Sequence, residues 1–300
     1  GSGDPVDSKV FSVLSLWLSA GTTPAFSKAP RYFALFSEAF GGMTSLKAGG
    51  IEFMHRPPRL TFWRAMTDND RGRNHGFEHA IWQTASLYAK RGPVEFDMNG
   101  AEPVVRYRFP LPGLPVMPEV AYRVGRDGLI HVTADFPGGQ GLPDLPIFGL
   151  QFTLPPALDR FRYYGLGPDE NYADRCRGAR LGIFARSVVD NVSPYCVPQE
   201  CGNRMGTRFA EVTDEAGGGL RFTAEGAPFE FNALPYGTME LETAERPEDL
   251  PPVTKTVVTI AARQMGVGGD DSWGSPVHEP YRIASHKPLS LAFSVAPIGV

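Results

Sequence analysis

Residues 130–136 read Ile-His-Val-Thr-Ala-Asp-Phe. Ile130, Val132, Ala134 and Phe136 are apolar, and His131, Thr133 and Asp135 between them are not. A period of two is that of a strand with one buried face. Asp127-Gly128 just ahead supplies a turn signal. Val105, Tyr107 and Phe109 alternate in the same way with Arg106 and Arg108. So do Phe148, Leu150, Phe152 and Leu154 with Gly149, Gln151 and Thr153, and Leu289, Leu291, Phe293 and Val295 near the end. Tyr32, Phe33 and Leu35 before Gly41-Gly42 read as a strand and turn, and residues 46–51 as a hairpin. Many strands with antiparallel turn signals and little helix predict an all-β fold, a large sandwich. One short helix is expected near 77–91. Phe77, Ile81, Ala85 and Tyr88 recur at helical spacing, Lys90 and Arg91 suit its C-terminal end, and Gly92-Pro93 stops it. The Pro-rich stretches 110–118 and 143–146 read as loops.

Three hundred residues are enough for a large core, with 42% apolar and 21% charged residues. The 34 Gly and 28 Pro fit many turns. A net charge of −4 without a basic cluster argues against a nucleic-acid partner. No stretch is long and apolar enough to span a membrane. The segment VFSVLSLWL (10–18) comes after Asp4, Asp7 and Lys9 and lacks a clear cleavage site, so a strand is expected there rather than a signal. Cys176, Cys196 and Cys201 are odd in number and form no C-x-x-C pair, which fits reduced thiols and a cytoplasmic location. Residues 1–30 read as a lead-in or linker, with Gly1-Ser2-Gly3 as a cloning scar, ahead of one β domain over 31–300.

Four polar stretches interrupt the strands. FWRAMTDNDRG (62–72) has the wrong spacing for a calcium loop and reads as a self-capped, salt-bridged turn. YYGLGPDENYADR (163–175) starts as a strand and breaks at Gly165. PYCVPQECGNR (194–204) is a polar loop, and MGVGGDDSWG (265–274) a glycine-rich one. A glycosidase needs two carboxylates flanking the scissile bond. Asp169, Glu170, Asp174, Glu200, Asp270 and Asp271 are the candidates here, yet each is accounted for as a loop cap or as an ion pair with Arg175 or Arg204. No Ser-His-Asp order, P-loop, Rossmann fingerprint or H-E-x-x-H occurs. His75 and His79 stand four apart, and two ligands do not make a metal site, so both are expected in solvent. Trp273 admits two readings: a core plug after a tight turn, which the local residues favour, or a sugar-stacking platform held on a rigid loop.

In this order, the four stretches resemble the C-terminal domain, or small chain, of family-two β-galactosidases, over residues 31–300. The resemblance implies a large antiparallel two-sheet supersandwich like that of galactose mutarotases. It implies a non-catalytic domain or small subunit that completes the substrate pocket of a retaining hydrolase of terminal β-D-galactosides such as lactose. The catalytic glutamates, magnesium and sodium belong to a separate barrel domain or large subunit, so neither a catalytic residue nor a metal site is expected here. That barrel portion and the galactoside are the implied partners, in an oligomeric enzyme. The resemblance turns Trp273 into the expected substrate platform. It also places a mobile loop near the active site at Gly72, Arg73, Asn74 and His75, with Gly72 as hinge. Asp68, Asn69, Asp70, Glu170, Asn171, Arg175, Glu200, Asn203, Asp270 and Asp271 fall in the matching motifs as loop supports. Met66 stands where the family often has proline, and residues 5–30 match poorly. Two other classes stay open: a free-standing carbohydrate-binding module using Trp273, and an aldose mutarotase, which would need a placed acid and base.

Overall fold

Every second residue of the 130–136 stretch is buried, as its period requires: Ile130, Val132, Ala134 and Phe136. The computed structural model describes residues 32–271 and 274–300. The expectations for residues 1–31, and the placement of Trp273, lie outside the described residues.

In chain order the elements are β1 (Phe33–Ser37), β2 (Gly42–Ala48), β3 (Ile51–Glu52), β4 (Arg56–Thr61), α1 (Asp68–Gly72), α2 (His75–Glu78), α3 (Ala80–Tyr88), β5 (Val94–Asp97), β6 (Val104–Arg108), β7 (Glu119–Val124) and β8 (Ile130–Phe136). Next are β9 (Ile147–Leu154), β10 (Arg160–Gly167), β11 (Arg180–Ser187), β12 (Arg204–Thr207), β13 (Phe209–Thr213), β14 (Gly219–Ala224), β15 (Phe229–Leu234), α4 (Thr238–Thr243), β16 (Thr256–Gln264) and β17 (Leu289–Ile298). A nine-stranded sheet runs β11-β10-β13-β14-β17-β8-β7-β6-β5. A five-stranded sheet runs β12-β15-β16-β9-β4, and β1-β2-β3 form a small third one. The strand pairs described are antiparallel, as expected for this all-β fold.

Aromatic side chains join the two larger sheets. Phe152 on β9 meets Phe222 on β14 with ring centroids 5.1 Å apart, and Phe231 on β15 meets Phe161 on β10 at 5.5 Å. Edge-on and tilted packing of this kind adds to the burial of apolar area. The β9 strand departs from simple alternation, because Gly149 and Thr153 are buried along with the apolar set. Its second face is covered too: Gln151 donates to Thr238 on α4 at 2.9 Å. Beneath α4, Ala65, Cys201, Leu234 and Leu241 form a satellite core. The hairpin at Gly49-Gly50 has φ of +55° and +83°, the left-handed turn that glycine permits.

Three expectations need correction. The predicted helix 77–91 is split at His79 into α2 and α3 and stops at Tyr88. Its buried face carries Trp82 and Ala85, while Phe77 and Tyr88 are 80% and 63% exposed. Trp82 sets that face: its indole N–H donates to the Pro143 carbonyl at 3.0 Å, and its ring meets Phe136 edge-on. The strand at 163–164 does not break at Gly165 but runs through it as β10. Glycine is needed there because an added Cβ would lie 2.7 Å from Thr207 Oγ1. His75 and His79 are buried rather than solvated. Trp63, His75 and His79 stack in a column, the two imidazoles 4.0 Å apart between centroids. No described helix is long and apolar enough to cross a membrane.

Candidate functional site

The four polar stretches meet at one place, and buried ions tie them together. The first is anchored by Thr67, the N-cap of α1. Its hydroxyl accepts from the Asp70 N–H, and the Asp70 carboxylate accepts from the Thr67 N–H, a reciprocal cap. This is the self-capped turn expected from sequence. Asp70 is fully buried and takes both arms of Arg64 at 3.1 Å. Burial alone would raise this carboxyl, but the adjoining Arg64 guanidinium holds it below its usual range. Arg64 spends its remaining N–H groups on the carbonyls of Met265 and Gly266, the latter at 2.8 Å. One guanidinium thus fastens the 62–72 stretch to the base of the 265–274 loop.

Asp174 fastens the same loop from the other side. Its carboxylate accepts from Val267 N–H at 3.0 Å and Gly268 N–H at 2.8 Å. The approach leaves no room for a side chain: a Cβ on Gly266 would lie 2.5 Å from Asp174 Oδ2. At the far end, a Cβ on Gly274 would lie 2.9 Å from the Gly72 carbonyl oxygen, so the glycine-rich loop abuts the start of the 72–75 segment. Asn74 in that segment has a left-handed φ of +61°. Arg73 bonds His75 Nδ1 at 2.6 Å and lies 3.7 Å from Asp70. Because arginine only donates, His75 Nδ1 is the acceptor and its proton sits on Nε2. Burial drives the His75 pKa down to about 3.

Glu170 binds the second and third stretches. Its Oε2 accepts from Gly202 N–H at 2.6 Å and the Ser193 hydroxyl at 2.8 Å. Its Oε1 accepts from Arg175 and from the Tyr195 hydroxyl. Burial opposes the charge, but these donors keep the carboxyl below its ordinary pKa. The ion pair with Arg175 matches expectation. One with Arg204 does not form, since buried Arg204 goes to Tyr163, Asn191 and the carbonyls of Gly202 and Asn203. Asn171 and Asn203 lock the backbones reciprocally: Asn203 Nδ2 donates to the Asn171 carbonyl, and Met205 N–H to Asn171 Oδ1. Asp68 pairs with Arg71 on the surface, and Asp270 with His278 at 2.7 Å. Asp271 accepts from Ser275 N–H at 3.2 Å.

A cavity of about 320 Å³ opens where the stretches converge. Asp68, Asn69, Arg175, Gln199, Glu200 and Gly268 are among its lining residues. Glu200 is half-buried there. Its Oε1 accepts from Tyr172, Asn232 and Gln264, and burial raises its pKa to about 7. Glu230, buried behind it, accepts from Gln264 N–H and Asn203 and is raised by burial to about 7 as well. Among the described residues no group of three or more His, Cys, Asp or Glu side chains is placed to hold a metal ion.

Sequence reasoning overlooked Arg64, Gln199, Glu230 and Gln264 as parts of this site. Glu230 carried a usable signal: it stands between Phe229 and Phe231 in a buried run, where a carboxylate needs a partner. For the reach of Arg64 to the Met265 and Gly266 carbonyls, some two hundred positions away, sequence offered none.

The family model described as "Beta galactosidase small chain" matches residues 29–295. A β-galactosidase from Lactobacillus delbrueckii subsp. bulgaricus is 43% identical over 272 residues, covering 90% of this chain and 27% of that protein. One from Halalkalibacterium halodurans is 41% identical, covering 88% of this chain and 26% of that one. The chain therefore spans about a quarter of these relatives' length. A β-galactosidase small subunit from Latilactobacillus sakei is 33% identical, covering 90% of this chain and 94% of that one. Among solved structures, a galactose mutarotase related enzyme from Lactobacillus acidophilus covers 91% of this chain and is itself covered to 96%, at 10% identity and a TM-score of 0.47. A likeness that distant adds nothing to the functional argument. With the family model matching residues 29–295 and the small subunit matched almost end to end, this chain belongs to the β-galactosidase small-chain family.

Proposed function

We propose that this chain is the non-catalytic C-terminal domain or small subunit of a β-galactosidase and completes the substrate pocket formed by a separate catalytic portion. The observation that carries the reading is the double anchorage of the 265–268 backbone by Arg64 and Asp174. Two ions fix the base of this loop, and Trp273 follows in the same stretch of sequence. In this reading Trp273 is the sugar platform, and the 72–75 segment is the mobile loop near the active site. Asp68, Asn69, Asp70, Glu170, Asn171, Arg175, Glu200, Asn203, Asp270 and Asp271 support the loops. The catalytic glutamates, magnesium and sodium reside on the partner, and the substrate is a terminal β-galactoside such as lactose. The assembled enzyme is oligomeric and retains configuration. Three free cysteines support a cytoplasmic location.

The test is hydrolysis of o-nitrophenyl β-galactoside by the chain alone, by the catalytic portion alone and by the two combined. The expected result is activity in the combination and none from the lone chain. Trp273→Ala should lower kcat/KM of the combination without weakening association. Hydrolysis by the lone chain, abolished by Glu170→Gln or Glu200→Gln, would overturn the reading.

A further inference from the structure

The cavity where the four stretches meet is unusual in which of its atoms are left open. Most of its side-chain donors are already engaged. Arg175 is committed to Glu170 and Tyr195, and the Tyr195 hydroxyl to Glu170. Gln199 Nε2 donates to the Val197 carbonyl, and Asn69 Nδ2 to the Ser275 carbonyl. The N–H of Gly268 goes to Asp174. Open side-chain oxygens remain. All three donors to Glu200 converge on Oε1, leaving Oε2 without a hydrogen bond among the described residues. Asn69 Oδ1 has none either, and Asp68 is two-thirds exposed with only a 3.6 Å contact to Arg71.

A sugar hydroxyl both donates and accepts, and these open side-chain oxygens answer only its donating half. Among the described residues a bare metal ion finds no gathered set of ligands. A group with several donors and no acceptor fits: an ammonium or a guanidinium. We propose that this cavity is the socket for a lysine or arginine side chain of the catalytic portion, held by Glu200 Oε2 with Asn69 and Asp68. The inference rests on the proposed function, in which such a portion is this chain's partner. Charge complementarity argues for that occupant, and so does place: Gly268 and Gly269 of the Trp273-bearing loop line the same cavity. Seating a cation there would fix the partner's register against that loop. A half-buried carboxyl whose far oxygen is open gains a charge-assisted bond when the cation arrives.

Assembly is then linked to pH. In the free chain Glu200 titrates near 7 because burial disfavours its charge. Arg64, already committed to Asp70, favours the charge, while Glu170 opposes it. Tyr172, Asn232 and Gln264 face its other oxygen, Cys201 adjoins it in the chain, and Arg175, Asp68 and Asp271 share the cavity. A bound cation lowers the Glu200 pKa, so association releases a proton and strengthens as pH rises through 7.

The experiment is calorimetric titration of the full chain with the catalytic portion from about pH 6 to about pH 8.5, in two buffers of different ionisation enthalpy. The wild-type chain should bind roughly tenfold more tightly at the upper end, with proton release. Glu200→Gln should lose that slope and bind roughly tenfold or more weakly at high pH. Asp68→Lys, on an exposed side chain that does not threaten folding, should weaken binding through repulsion and serves if Glu200→Gln does not fold. If the wild type associates but both variants bind within about twofold of it and keep the slope, the socket is refuted while the proposed function stands. Absence of any association by the wild type removes both. Galactose binding by the lone chain, lost in Glu200→Gln, would refute the socket in favour of a sugar site.

Discussion

Strands β8 and β17 lie side by side for seven residue pairs and bury Ile130, Val132, Phe293 and Val295 between the sheets. The loops around Arg64 are buried as completely, yet what they bury is charge: Arg64, Asp70 and Arg204 are each at most 2% exposed. The strand layer is held by area, which is non-directional and shared among many neighbours. The loop end is held by a few ions, each gathering backbone atoms from segments far apart in the chain. Damage to the first should be graded, whereas damage to the second should be abrupt. The loops that carry the proposed function are thus positioned by charge pairs rather than by the core beneath them.

The sharpest way to break that contrast is Arg64→Leu. It leaves Asp70 buried without its counter-ion and should cost about 3–5 kcal/mol in urea unfolding. The double variant Arg64→Leu/Asp70→Leu should recover much of the loss. A single variant within about 1 kcal/mol of wild type would mean the ion pair is incidental.

Next comes pH. Glu230 keeps its proton to about pH 7 when folded but only to about 4.5 when unfolded, so stability falls as pH rises through that window. His75 works in the opposite sense. It stays neutral down to about pH 3 in the fold against 6.5 unfolded, so stability falls as pH drops below about 6.5. Together they predict a maximum of stability on the acid side of neutrality. Glu230→Gln should flatten the alkaline limb by on the order of 2–3 kcal/mol and leave the acid limb in place. Thermal midpoints measured across the pH range would check both limbs.

Smaller still, Ile130→Val in the strand layer should cost about 0.5–1.5 kcal/mol. Thr67→Ala, which removes half of the reciprocal cap, should cost about 1 kcal/mol. If the core substitution proved the most damaging of the set, the contrast would be reversed.

The strand layer was legible because its signal is local. Residues 105–108 and 130–136 announce a buried face by alternation, and packing obeys it; in β17 Leu291, Phe293 and Val295 are buried as expected, but so is Ser294, while Leu289 and, past the end of β6, Phe109 are only partly covered. The Thr67–Asp70 cap was legible for the same reason, spanning three residues. The helix face was misread because Phe77 and Tyr88 complete a helical stripe on paper, while the Pro143 carbonyl that captures Trp82 lies 61 positions off. His75 and His79 were misplaced because their shelter is the ring of Trp63 and the guanidinium of Arg73, and neither shows in their own spacing. The candidate site was legible as four stretches but not as one place. Their order in the chain says nothing of convergence, which is made by Arg64, Glu170 and Asp174.

The bond from Arg64 to the Met265 carbonyl also bears on time. It spans 201 positions, so closing it requires most of the chain to have been made and collapsed first. Contacts of such sequence separation form late, because the loop they close is the longest and its entropy is lost only after nearer pairs have formed. During synthesis the Arg64 guanidinium therefore waits beside Asp70, with two of its acceptors not yet made, until residues 265 and 266 emerge. The loop bearing Trp273 is thus among the last parts of the molecule to set. Pulse-labelled hydrogen exchange during refolding should find the Val267 and Gly268 amides, which bond Asp174 93 and 94 positions away, protected after those of the local β7–β8 hairpin. Simultaneous protection would show that the loop is fixed by something nearer in sequence.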